Sequence, residues 1–234
     1  MLEITQIRKL SLCIFFVPLF AINLCLFISI NYNLFENTFL QVDQIGRSGF
    51  TIPYLDGSLS ISRASRTYPA FLIFKPAMIL TSVLLFFYWK KNNEIMNRFN
   101  NISGKIYKFK TFGVLSAIFL SIHAILLGVD IDFKIFKLLR RVILLFFIIF
   151  EIIAQGLLVY HFYKLKEKIN IFFRLNVLKI KILLVFCLST VAIASLPILV
   201  TKGNVHFKHA LEWNYFVGVI LFYLLTRLFW KKQS

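Results

Sequence analysis

A chain of 234 residues, 59% hydrophobic with 28 phenylalanines and a mean hydropathy of +0.78, is too apolar for a soluble domain, whose apolar share is about 45–50%. The net charge of +17 does not mark a nucleic-acid binder. Lys and Arg flank the apolar runs, where they set orientation and meet anionic lipid headgroups.

The apolar runs are about twenty residues long, enough for an α-helix to cross a hydrocarbon core of about 30 Å, and the polar segments are too short for a second core. The expected architecture is therefore an all-α integral membrane protein, one domain over 1–234, built as a six-helix transmembrane bundle. Cys13, Cys25 and Cys187 fall inside the runs and imply no disulfide framework.

The first span is predicted at 10–30, after Arg8 and Lys9. It exceeds the roughly 7–15-residue apolar region of a signal peptide and ends in Ser29-Ile30-Asn31-Tyr32-Asn33, so it reads as a retained helix. A long loop over 31–69 follows. Within it, 52–69 is the one long stretch too polar to enter a bilayer. It opens with Pro53, closes with Pro69, and gathers Asp56, Ser58, Ser60, Ser62, Ser65, Arg63 and Arg66.

The second span, 70–89, carries Lys75 and Pro76 near its start and leads into a basic loop, 90–110. The third, 111–128, holds His123, and a short connection with Asp130 and Asp132 precedes the fourth, 142–161, with Glu151 and Gln155. Loop 162–181 alternates basic and apolar residues and is expected as an amphipathic helix in the headgroup region. The fifth span is 182–200. The sixth, 211–230, starts through His209 and Glu212 and is closed by Lys231 and Lys232.

Most of the 27 Lys and Arg residues lie at the amino end, in loops 90–110 and 162–181, and at the carboxyl end. The positive-inside rule then predicts cytoplasmic termini and places 52–69 outside or in a lumen. Trp89, Trp213 and Trp230 fall at predicted span ends, the pattern of an aromatic belt.

Counted by depth, Lys75, His123, Asn23 and Glu212 share the outer half of the bundle beneath 52–69. A charge at the bilayer centre costs roughly 2.5–3.5 kcal/mol on insertion scales, so such residues face a partner or a cavity. Two readings stand: a polar network that fixes helix pairing, or a pocket for a ligand or for catalysis. The candidate outer-face site is Pro53, Asp56, Ser60, Ser62, Arg63, Arg66, Lys75, His123 and Glu212, with no catalytic set assigned.

An enzyme acting on lipid would draw a nucleophile or base from Ser60, Ser62, His123 and His209. His206, His209 and Glu212 are spaced by threes and are secondary candidates for metal ligands if the last helix starts early. Titratable residues at an interface account for them more simply, and no cofactor or metal is expected. Glu151 and Gln155, one turn apart, are candidates for a proton or solute path. Gly46-Arg47-Ser48-Gly49 lacks the spacing of a nucleophile elbow, and no phosphate-binding loop or paired-histidine protease motif is present. The glycosylation acceptor Asn101-Ile102-Ser103 falls on the predicted cytoplasmic side.

Pro53-Tyr54-Leu55-Asp56-Gly57, with Ser60-Ile61-Ser62 and the later Tyr68-Pro69, resembles the first outer loop of the Frag1/DRAM/Sfk1 family of six-span membrane proteins. There a Pro-x-Ile-Ser type motif precedes a proline at the second span. His209-Ala210-Leu211-Glu212-Trp213 is similar to the Glu-Trp start of that family's last span. The chain departs at the fourth span, where Lys137–Val142 replaces a His-x-x-Gly-Ala pattern.

The resemblance implies lipid-related work: remodelling of glycosylphosphatidylinositol anchors, phosphoinositide-kinase recruitment and lipid asymmetry, or autophagy at lysosomes. It brings no agreed catalytic set and singles out Pro53, Asp56, Ser60, Ser62 and Glu212. The expected function is lipid handling or membrane organisation. The alternatives are a membrane-embedded enzyme acting on a lipid headgroup or acyl chain, and a small-solute or proton-coupled transporter. Expected partners are membrane lipids, with anionic headgroups on the cytoplasmic side, and a homo- or hetero-oligomeric assembly.

Overall fold

Hydrocarbon offers a backbone no hydrogen-bond partner but itself, so the Leu-, Ile- and Phe-rich runs fold as helices. A computed structural model describes residues 2–42, 51–102, 104–129, 134–169, 171–201 and 203–231. In chain order the helices are α1 (Leu2–Ile30), α2 (Pro53–Asp56), α3 (Ile61–Ala64), α4 (Ala70–Phe99), α5 (Lys108–Leu126), α6 (Lys134–Lys164), α7 (Lys166–Ile169), α8 (Leu175–Val200) and α9 (Val205–Phe229). Among the described residues there is no strand, only an isolated antiparallel bridge between Phe173 and Trp230.

Five helices, α1, α4, α5, α6 and α8, are long and apolar enough to cross a membrane. The helix expected as the sixth span, α9, has 25 residues. It is more polar, carrying His206, Lys208, His209, Glu212, Asn214 and Arg227, and is not one of the five. The main packing pairs are α1 on α4, α4 on α5, α5 on α6, α6 on α8, α8 on α9, and α9 back on α1, with a smaller contact between α6 and α9. The six close into a ring around a core that includes Tyr88, Trp89, Phe109, Leu158, Phe222 and Tyr223.

Several expectations are corrected. Charge marks the polar edge of a span and not the end of its helix, because Lys, Arg, Glu and Met are good helix formers. Accordingly α4 runs on through Lys90 and Lys91 to Phe99, α6 begins before its predicted span, and α8 begins at Leu175. Loop 162–181 is consequently no amphipathic surface helix. Its first residues finish α6, α7 is a single turn, and Phe173 stacks on Phe229 at 4.6 Å.

The three tryptophans are not a lipid-facing belt either. All are fully buried, and a Cβ at Gly113 would run into the Trp89 ring. His206, expected ahead of the last helix, lies in its first turn. Arg47 within Gly46–Gly49, Ser103, Asp130, Asp132, Lys202 and Lys232 lie outside the described residues.

Candidate functional site

The polar stretch 52–69 folds into a two-turn platform. Pro53, at the first position of α2, arrives with its φ already set for a helix, and it is buried. Asp56 closes that turn on itself: its carboxylate accepts from the amides of Ile52 at 3.0 Å and Ser58 at 2.7 Å. Gly57 then reverses the chain at φ +59°. Only glycine fits, since a Cβ would run into the His206 carbonyl of α9 and a left-handed backbone disfavours other residues.

The second turn, α3, is capped from two directions. The Ser60 hydroxyl accepts from the Arg63 amide at 3.2 Å, as a helix N-cap should. The carboxylate of Glu212, which arrives from α9, faces the amides of Ile61 and Ser62. A carboxylate is favoured there because the exposed amides of a first turn carry partial positive charge.

Further bonds fasten the platform to the bundle. The Trp213 indole donates to the Leu59 carbonyl at 2.7 Å, and Asn214 donates to the Tyr54 carbonyl at 2.7 Å. The His209 ring shares a hydrogen bond with the Gly57 carbonyl at 3.0 Å. On α1, Asn23 accepts from the Tyr54 hydroxyl at 3.0 Å, and Ser29 donates to the Ala64 carbonyl at 2.8 Å. Burial of the Tyr54 ring against Trp213, centroids 4.8 Å apart, holds its phenol above the ordinary value. Arg63, Arg66 and Leu55 are exposed, Leu55 at 81%.

The structure thus gathers Pro53, Asp56, Ser60, Ser62, His209, Glu212 and Asn23 at one seam. Lys75 and His123 engage other groups. Lys75 lies over the Phe71 ring at 5.4 Å, while buried His123 shares a hydrogen bond with the Arg140 backbone on α6. Among the described residues no three His, Cys, Asp or Glu side chains stand close enough to hold a metal ion, the trio His206, His209 and Glu212 included.

A second polar centre lies in the middle of the ring. Glu151 of α6 is fully buried and receives three side-chain donors: Ser116 at 2.6 Å, Gln155 at 3.0 Å, and Tyr223 of α9. Gln155 also reaches the Val219 carbonyl at 3.3 Å. Lys181 of α8, 1% exposed, donates to Thr226 at 2.8 Å and sits 3.8 Å above the Phe222 ring. Thr226 shares a hydrogen bond with Tyr88 at 3.1 Å, and the Tyr88 and Tyr223 rings meet edge to face at 4.9 Å. Tyr223 and Thr226 are three apart on α9 and face the same way. The core thus holds two separate polar groups, a carboxylate bonded to Ser116, Gln155 and Tyr223 and an amine bonded to Thr226, whose nearest ring contact is between Tyr88 and Tyr223.

Sequence reasoning found Glu151 and Gln155 but assigned Lys181 to a surface loop and missed its partners. The available signal was helical period. Leu178, Lys181 and Leu188 are all buried on one face of α8, and carrying that spacing back from the apolar run puts Lys181 inside. The chain matches no family model, no curated protein and no solved structure.

Proposed function

We propose that the chain is a six-span membrane protein of lipid handling or membrane organisation, with cytoplasmic termini and the α2–α3 platform on the opposite face. One observation carries the reading. The two stretches that resemble the Frag1/DRAM/Sfk1 family, 52–69 and 209–213, are far apart in sequence and form a single seam through Glu212, Trp213 and His209. The seam turns the polar side of the platform toward the bundle and leaves Arg63 and Leu55 exposed, a cation and an apolar side chain of the kinds a headgroup boundary favours. As a sixth span, α9 is about 37 Å long at 1.5 Å per residue, more than a bilayer core requires.

The test is complementation of a deletion strain, read as its lipid profile. Arg63→Ala with Leu55→Asp should fail to restore the profile while the protein still accumulates in the membrane. Full restoration by that double variant would sink the platform as the working surface.

Buried Glu151 and buried Lys181 favour a second reading, a small-solute or proton-coupled transporter, because ionisable groups inside a membrane bundle commonly mark ion paths. Proteoliposomes separate the two. A pH-driven flux lost in Glu151→Gln and retained in the platform double variant supports transport, and the absence of any flux from the wild type rejects it.

A further inference from the structure

At the end of the ring opposite the platform, three helices each bring one arginine to the same place. Arg174 precedes α8, and its amide donates to the Phe229 carbonyl at the end of α9 at 2.9 Å. Arg227 lies two residues before Phe229, in the last turn of that helix. Arg8 lies in the first turns of α1, which packs on α9, and Arg227 and Arg174 are the two charges that act on its guanidinium.

Like charges gathered this closely repel, and the fold does not relieve them. Among the described residues no carboxylate pairs with any of the three, because Glu3 pairs with Arg98 and Glu94 with Lys91. The Arg8 Nε is buried without a hydrogen-bond partner. The adjoining first turn of α8 has no acidic residue and no side-chain cap, so its amides add partial positive charge to the same spot. The adjoining packing is apolar, made by the ring contacts of Phe173, Phe229, Phe162 and Trp230.

We propose that Arg8, Arg174 and Arg227 form a binding site for a phosphate-bearing anion at the basic end of the bundle. Guanidinium groups suit a phosphate because each presents two parallel N–H donors to two of its oxygens. Convergence from α1, α8 and α9 would let one anion tie the two ends of the chain together while removing the repulsion among the arginines. The phosphate could be the headgroup of an anionic phospholipid or that of a soluble phosphorylated compound. The inference deepens the lipid reading by naming a headgroup site, yet it lies apart from the platform, so either can fail without the other.

The experiment uses the full chain in nanodiscs of phosphatidylcholine, alone or with phosphatidylglycerol, and in detergent with inorganic phosphate, read by native mass spectrometry and by melting temperature. The wild type should retain phosphatidylglycerol or bind phosphate and melt higher with it. Arg174→Gln and Arg227→Gln should each weaken that binding by about tenfold, the loss expected for one charge-assisted contact. Lys179→Gln, which removes an exposed charge on the same helix, should leave binding unchanged.

Arg174 is exposed, so its variant should fold, as an unchanged melting temperature in pure phosphatidylcholine would confirm. A response to phosphatidylglycerol alone identifies a lipid headgroup, and a response to inorganic phosphate identifies a soluble ligand. No response to either, or equal weakening by Lys179→Gln, overturns the site.

Discussion

Glu212 and Glu151 are two glutamates of one bundle with opposite kinds of partner. Glu212 faces the backbone amides of a turn that lies far away in the sequence, beside the Trp213 and His209 bonds that fasten the loop. Glu151 takes side-chain donors from three helices and, through Tyr223, joins α6 to α9 across the bundle. A carboxylate bonded to backbone does structural work that any chemistry at the site would disturb. One surrounded by hydroxyls and an amide has partners that can turn, exchange protons, or change places. The seam is where this chain is assembled, and the core is where its protonation states can matter.

Four measurements break or sharpen that contrast. The largest effect is expected from Glu151→Ala, which opens a cavity and leaves the Tyr223 hydroxyl buried without its acceptor, while Ser116 and Gln155 keep the carbonyls of Gly113 and Val219, a loss of about 2–5 kcal/mol. Its melting temperature in detergent should fall by roughly 5–10 °C, and an unchanged value would mean that the core network contributes nothing to the fold. Gly57→Ala comes next. With a left-handed residue and a backbone collision it should lose about 1–3 kcal/mol, seen as protease cleavage within 52–69 while the spans stay intact.

Ser60→Ala and Trp213→Phe should each cost about 1 kcal/mol, one through a lost N-cap and the other through a lost indole bond. Labelling of a cysteine placed at Ser62 would report the loosening, and equal labelling in wild-type and variant backgrounds would show that the seam is not held by these bonds. The smallest effect is a pH dependence. Because burial raises the Tyr54 phenol above its usual 10.0, its contribution is fully present below that pH and fades as pH climbs through the folded-state value. Protease sensitivity of the platform should rise in that alkaline window and should lose this step in Tyr54→Phe.

The membrane helices were legible because a run of twenty apolar residues has few other fates. Their ends were not. Lys90, Lys91 and Lys181 look like flanks in sequence, yet a helix continues past the polar boundary whenever its residues tolerate helical dihedrals, as α4 does to Phe99. The platform was legible as a polar island, and counting by depth set Glu212 beneath it. The work Glu212 does there could not be read, since it depends on amides of Ile61 and Ser62 that only the tertiary fold brings within reach. Lys181 was hidden for the same reason: Thr226 and Phe222, its partners, belong to a helix that comes much later in the chain.

The seam also sets an order of events during biosynthesis. Leu59 and its partner Trp213 are 154 residues apart, a separation that takes roughly 10–30 s to translate at 5–20 residues per second. Through that interval the nascent platform has Asn23 and Ser29 of α1 to rest on but not the caps that α9 supplies. A chain stalled before Glu212 would carry the loop undocked, open to proteases and recognisable as unfinished. Docking of the platform thus waits on the arrival of α9.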